Sequence, residues 1–170
     1  MCSCFDQVVQ IKLHQAFKIS IMSSKPVIVF TPGAWHAPEC FSEIISKLEP
    51  LGYRCIGYPL LAVGHEPAVK DLQPDVDAIH KLVSDQADAG NDVVVVAHSW
   101  SGIIVSAALD GLGKADREKT GKQGGVLRIA YIASFVPAEG VSLITAFGGT
   151  PPDWYVVEVR PISFSCCIHR

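Results

Sequence analysis

The chain is short of charge. Of its 170 residues only 18% are Asp, Glu, Lys or Arg, against 49% apolar. That balance excludes an intrinsically disordered chain, which needs the reverse proportion. A net charge of −3 gives no electrostatic footprint for DNA, RNA or an anionic membrane surface. No apolar run approaches the ~18 residues that span a bilayer, so neither nucleic acid nor membrane is expected as a partner. No G-x-G-x-x-G follows a strand-like run and no Walker sequence occurs, which argues against a bound dinucleotide or nucleoside triphosphate. The six cysteines (Cys2, Cys4, Cys40, Cys55, Cys166 and Cys167) contain no pair of C-x-x-C units. Neither terminal cluster has a histidine at zinc-finger spacing. No metal and no cofactor is expected, and the thiols read as those of a reduced, cytoplasmic protein.

Residues 1–21 fit poorly with the rest of the chain. Asp6, Gln7, Gln10 and Lys12 break any apolar core and argue against a secretory leader. Met22-Ser23-Ser24-Lys25-Pro26 reads as a natural start, with 1–21 a poorly ordered extension. The remainder divides into one domain over 22–154 and an atypical tail over 155–170.

From Pro26 onward apolar runs alternate with helical patterns. Residues 27–31 read as a buried strand ended by Pro32-Gly33. Phe41, Ile44, Ile45 and Leu48 recur at helical spacing after Pro38, and Gly52 stops that helix. A second strand spans 53–58. A helix spans 71–89, with Val76, Ile79, Val83 and Ala87 as its apolar stripe. A strand over 92–98 runs into a small-residue helix over 101–112, and a fourth strand covers 126–133. The charged stretch 113–125 between them reads as a solvated loop. Four β–α alternations with continuous apolar strands predict an α/β fold: a parallel sheet with helices on both faces. Right-handed crossovers place the loops after the strands on one edge of that sheet. Gly33-Ala34-Trp35 and Ser99-Trp100 both fall there.

Val93-Val94-Val95-Val96-Ala97-His98-Ser99-Trp100-Ser101-Gly102 carries the chemistry. An apolar strand drives into a serine with small residues, Ala97 and Ser101, two positions to either side. A sharp strand-to-helix turn crowds those two positions, and such a turn presents a serine hydroxyl for attack. Centring the turn on Ser101 would put Ile103 at a crowded position. A buried strand ending in a serine-rich helix start would give the same local pattern, since serine is a common cap. The glycine turn in Thr31-Pro32-Gly33-Ala34-Trp35-His36 weighs against that reading. A serine nucleophile needs amides for the developing oxyanion, and such a turn supplies one. His98 precedes Ser99 on a strand, where neighbouring side chains point to opposite faces, so it is not expected to be the base. His36 lies near the expected mouth. His65 and His80 receive no role.

Val29-Phe30-Thr31-Pro32-Gly33-Ala34-Trp35-His36, Val95-Val96-Ala97-His98-Ser99-Trp100-Ser101-Gly102 and Ile129-Ala130-Tyr131-Ile132-Ala133-Ser134-Phe135-Val136-Pro137-Ala138-Glu139-Gly140 together resemble the α/β-hydrolases. The likeness is to the small esterase and hydroxynitrile-lyase-like branch. The resemblance covers about three quarters of the chain, from Pro26 to near Trp154. It implies a partial α/β-hydrolase fold lacking the last strands, Ser99 as nucleophile, and the backbone amides of Ala34 and Trp100 as oxyanion donors. It also implies a cap region after Val136 and a small acyl or ester substrate. Two departures stand out. Pro32-Gly33 replaces the usual His-Gly, and the family's later acid and histidine have only Asp153 and His169 to match them, 16 residues apart. That spacing is too short for the strand–helix units that ordinarily carry them. The resemblance therefore implies an impaired serine hydrolase whose final dozen residues are foreign to the fold. The alternatives are a non-catalytic binding protein on the same scaffold and a hydroxynitrile-lyase-type enzyme. The sequence leaves the oligomeric state open.

Overall fold

A computed structural model describes residues 25–64, 67 and 69–151. The extension 1–21, His65, Asp153, His169 and the tail 155–170 lie outside the described residues.

Four strands, β1 (Val27–Thr31), β2 (Arg54–Gly57), β3 (Asp92–His98) and β4 (Gly125–Ile132), form one parallel sheet in the order β2-β1-β3-β4. β1 is buried along its whole length. Its β-branched and aromatic residues suit a strand covered on both faces. The described helices are α1 (Ser42–Leu48), α2 (Gln73–Asp88), α3 (Ser101–Ala108), α4 (Lys114–Lys119) and α5 (Leu143–Ala146). None is long and apolar enough to cross a membrane.

Alternation along the strands sorts the core into two layers. Val27, Val29, Val93, Val95 and Ala97 pack with Ile79 and Val83 of α2 and Ile104, Val105 and Ala108 of α3. Ile28, Phe30 and Val96 pack on the other face with Phe41, and Ile45 and Leu48 of α1 lie against them. Helices thus cover both faces, as the periodicity predicted. The chain winds outward from β1 to β2 and in the opposite sense from β3 to β4. The loops after β1 and β3 leave adjacent strands toward opposite faces, the arrangement that opens a crevice in an open α/β sheet.

Several local expectations are corrected. Pro38–Phe41 is a 3₁₀ turn preceding α1, and Ile44 is 45% exposed. At the α-helical 3.6 residues per turn, Ile45 and Leu48 fall closest to the direction of Phe41 and pack against the core, which leaves Ile44 at the edge of that face. The helix expected over 101–112 ends at Ala108, because the Leu112 carbonyl accepts from Val126 N at 2.8 Å and Gly113 bridges to Val126. Sheet pairing draws those residues off the helix.

The stretch 113–125 is not a solvated loop throughout. It contains α4, and Arg117 is 5% exposed. The Arg117 guanidinium donates to Asp88 Oδ1 at 2.7 Å and its Nε to the Gly124 carbonyl at 2.6 Å. Lys114 Nζ lies 2.6 Å from Asp92 Oδ1. A buried charge with partners on two sides is stable where an unpaired one is not. A register shift between Val93 and Val94, which pair with Val126 and Arg128, leaves Leu127 as an extra residue in β4.

Candidate active site

Ser99 sits between the end of β3 and the start of α3 with φ +55°. A non-glycine residue in the left-handed region is uncommon and strained. Main-chain bonds hold it there. Ser99 N donates to Ile132 O at 3.1 Å. The Ser99 carbonyl accepts from Gly102 N at 3.3 Å, Phe135 N at 3.0 Å and Ser134 Oγ at 2.7 Å. The exit of β4 therefore closes over the bend from one side. The fit is tight: a methyl group on Gly102 would meet Ser134 Oγ at 2.2 Å and the Phe135 carbonyl oxygen at 2.4 Å. Ala97 and Ser101, the flanking positions that the turn must keep small, are both fully buried.

The turn after β1 reaches the same place from the other side. A methyl group on Gly33 would lie 2.9 Å from Ser99 Cβ and 3.0 Å from His98 Nδ1. The two segments, far apart in sequence, are thus in van der Waals contact, and the contact needs glycine. Trp35, with φ +62°, reverses the chain beyond it. The His36 amide donates to the Gly33 carbonyl at 3.2 Å. The His36 ring bonds back to the Ala34 carbonyl, Nδ1 at 2.7 Å, which puts the proton on Nδ1. Among the described residues, neither the Ala34 nor the Trp100 amide donates to a protein acceptor. Trp100 stands at the N-terminus of α3, where helical amides are left over by geometry.

Two hydroxyls join the segments underneath. Thr31 and Ser101 are both fully buried. Thr31 Oγ1 donates to Val96 O at 2.8 Å and lies 3.2 Å from Ser101 Oγ. Ser101 Oγ accepts from His98 N at 2.9 Å, and its own proton has the Thr31 and His98 carbonyls as acceptors, each at 2.9 Å.

This is a strand–turn–helix with a strained serine at its apex, faced by a glycine turn from the neighbouring strand. Residues 28–164 match the family model described as the alpha/beta hydrolase family. The chain belongs to the alpha/beta hydrolase family. It is 35% identical over 119 residues to the alpha/beta hydrolase nvfD of Aspergillus novofumigatus, covering 70% of this chain and 47% of that protein. It is 30% identical over 129 residues to a protein named "Probable hydrolase" from a Phoma species, covering 74% of this chain and 49% of the relative. The carbendazim hydrolyzing esterase of a Nocardioides species is 24% identical over 128 residues, with 74% and 49% covered. The chain spans about half the length of the curated relatives it matches. Among solved structures, tomato methylketone synthase I in complex with 2-tridecanone superimposes with a TM-score of 0.56 at 16% identity. That match covers 73% of this chain and 45% of the other, and it shows the fold alone.

Within this alpha/beta hydrolase, Ser99, Ala34 and Trp100 lie on the two segments that converge. Asp153 and His169 fall outside the described residues. The rings of His36 and His98 meet edge to face, with centroids 5.8 Å apart. His80 is engaged elsewhere, its Nδ1 2.8 Å from the Ala108 carbonyl at the end of α3.

Two features were missed in the sequence. One is the Thr31–Ser101 pair. The other is Asp75, fully buried, whose two carboxylate oxygens accept from Leu61 N at 2.5 Å and Ala62 N at 3.0 Å. It pins the loop after β2. Burial pushes the nearby Tyr58 hydroxyl pKa up, and the Asp75 charge adds to the rise. Only the place of Asp75 on the same face of α2 as Ile79 and Val83 could have marked it in the sequence.

Proposed function

We propose that the chain carries the nucleophilic half of a serine esterase acting on a small acyl or ester substrate. Ser99 Oγ attacks the acyl carbon and the carbonyl oxygen becomes an oxyanion. The amides of Ala34 and Trp100 receive that charge from two sides. The leaving group departs as alcohol, and water releases the acyl group from Ser99. One observation carries the reading: Ser99 holds a left-handed backbone conformation within contact distance of the Gly33 turn. A strained residue at an apex is a mark of a site whose geometry the surrounding fold enforces. The esterase named among the relatives supports the same chemistry. The base and acid that complete the reaction are not assigned among the described residues. The described residues after Val136, which include α5, belong on this reading to the start of a cap. We place the reaction in the cytoplasm on the cysteine usage, with Cys40 and Cys55 both free.

The test is covalent labelling with a fluorophosphonate, mapped by mass spectrometry, with Ser99→Ala as control. Slow adduct formation on Ser99, absent from the variant, supports the assignment in a chain impaired in its base, and rapid stoichiometric labelling would refute the impairment. Adduct on another serine, or none, sinks it. Comparing p-nitrophenyl acetate with a cyanohydrin separates an esterase from a lyase on the same scaffold.

A further inference from the structure

The geometry points to Thr31 and Ser101 as a pair of positioning residues that set the distance between the oxyanion turn and the serine. The inference rests on the esterase reading above and concerns the support beneath its site.

Thr31 is the last residue of β1, and Pro32-Gly33-Ala34 follows it directly. Ser101 opens α3, two residues beyond Ser99. Backbone pairing between β1 and β3 reaches Thr31 and Ala97 and goes no further. Beyond that register position the two segments must separate to form the turn and the bend. The hydroxyls continue the connection where the ladder stops. Thr31 Oγ1 donates to Val96 O, and Ser101 Oγ takes the His98 amide and returns a proton to the Thr31 or His98 carbonyl. The two oxygens lie 3.2 Å from each other. Neither residue has any exposed surface, so water cannot substitute for a lost partner. A buried amide without an acceptor is costly, which makes this arrangement all-or-none instead of gradual.

Steric need at position 101 calls only for a small side chain, and glycine or alanine would satisfy it. Serine adds a hydroxyl, and every bond that hydroxyl makes runs to Thr31 or to the backbone of His98. It therefore couples the segment carrying the Ala34 amide to the segment carrying Ser99 and Trp100. An error of ~1 Å in such a placement costs on the order of 100-fold in rate.

The experiment compares Thr31→Val, Thr31→Ser and Ser101→Ala with the parent chain. Thr31→Val keeps the shape and deletes the hydroxyl, whereas Thr31→Ser keeps the hydroxyl. Two readouts are taken: amide ¹⁵N–¹H resonances of Ala34 and Trp100, and fluorophosphonate labelling resolved into inhibitor affinity and maximal rate. Expected are resonance shifts at both amides in Thr31→Val and in Ser101→Ala. The maximal labelling rate should fall at least about ten-fold with unchanged affinity, and Thr31→Ser should match the parent. Unchanged amides in the two deletion variants overturn the inference. So does a shift confined to the mutated segment, or a Thr31→Ser that behaves like Thr31→Val. Should Ser101→Ala fail to fold, Ser101→Gly takes its place. A parent chain that resists labelling defeats the esterase reading, and the resonances then decide the coupling by themselves.

Discussion

Replacing Gly33 by alanine tests the convergence of the two segments directly. The added methyl would sit 2.9 Å from Ser99 Cβ and 3.0 Å from His98 Nδ1. Carbon atoms in contact prefer about 3.5–4.0 Å, so the pair must separate by roughly 1 Å. The His98 ring can rotate, but Ser99 Cβ cannot, because it is set by a backbone held by four hydrogen bonds. The turn itself must move, and the Ala34 amide moves with it. Overpacking of this size costs about 1–3 kcal/mol, or a melting temperature lower by about 2–4 °C per kcal/mol in a domain of this size. On the proposed mechanism the larger effect falls on chemistry: displacing the Ala34 amide by ~1 Å should lower the rate about 100-fold. The assay is the fluorophosphonate labelling rate at Ser99, with thermal melting by circular dichroism on the same samples. Labelling of Gly33→Ala at the parent rate would refute the claim that this turn faces the serine. A melt lowered by tens of degrees would mean that the turn supports the fold far more than the site.

Three further outcomes are expected. Gly102→Ala forces a methyl to within 2.4 Å of the Phe135 carbonyl oxygen and should cost about 3 kcal/mol in urea unfolding; a loss under ~1 kcal/mol would show that the β4 exit is not packed on the bend. Asp75→Ala removes the acceptor of the half-buried Leu61 amide and of the Ala62 amide and should cost about 1–3 kcal/mol by the same measurement, the range for one unsatisfied donor, because water can reach the exposed Ala62. The Arg117 hydrogen bond, followed by the Lys122 charge, holds the Asp88 carboxyl below its usual range. Its contribution is complete above the ordinary carboxylate pKa of ~3.9 and is lost as pH falls through the depressed folded value. The melting-temperature gap between the parent and Asp88→Asn should therefore be steady near neutral pH and shrink in strong acid. A gap that persists there contradicts the pairing.

The sheet was legible because its strands announce themselves. Val93-Val94-Val95-Val96 and Val27-Ile28-Val29-Phe30 are continuous β-branched or aromatic runs, and their buried positions in a parallel sheet follow from that. The bend at Ser99 was legible from the small residues around it, since crowding is a local property. What stayed hidden depends on partners distant in sequence. Arg117 can be buried because Asp88, 29 residues earlier, and the Gly124 carbonyl both meet its guanidinium. The α4 charges therefore read as solvated when taken one stretch at a time. The extra residue Leu127 leaves no mark in the alternation of a strand whose outer residues, such as Ile132, are exposed. Ser101 was read for its size, and its hydroxyl acquires meaning only when Thr31 is brought beside it.

The bend at position 99 is secured by main-chain atoms of that residue, together with groups contributed by Gly102, Ile132, Ser134 and Phe135. Nothing in that scaffold calls on the serine hydroxyl itself. Replacing Ser99 by alanine would remove the proposed nucleophile and leave each of those bonds in place. On such a framework a proposed catalyst could become a receptor by one substitution, and the backbone would keep no record of the change.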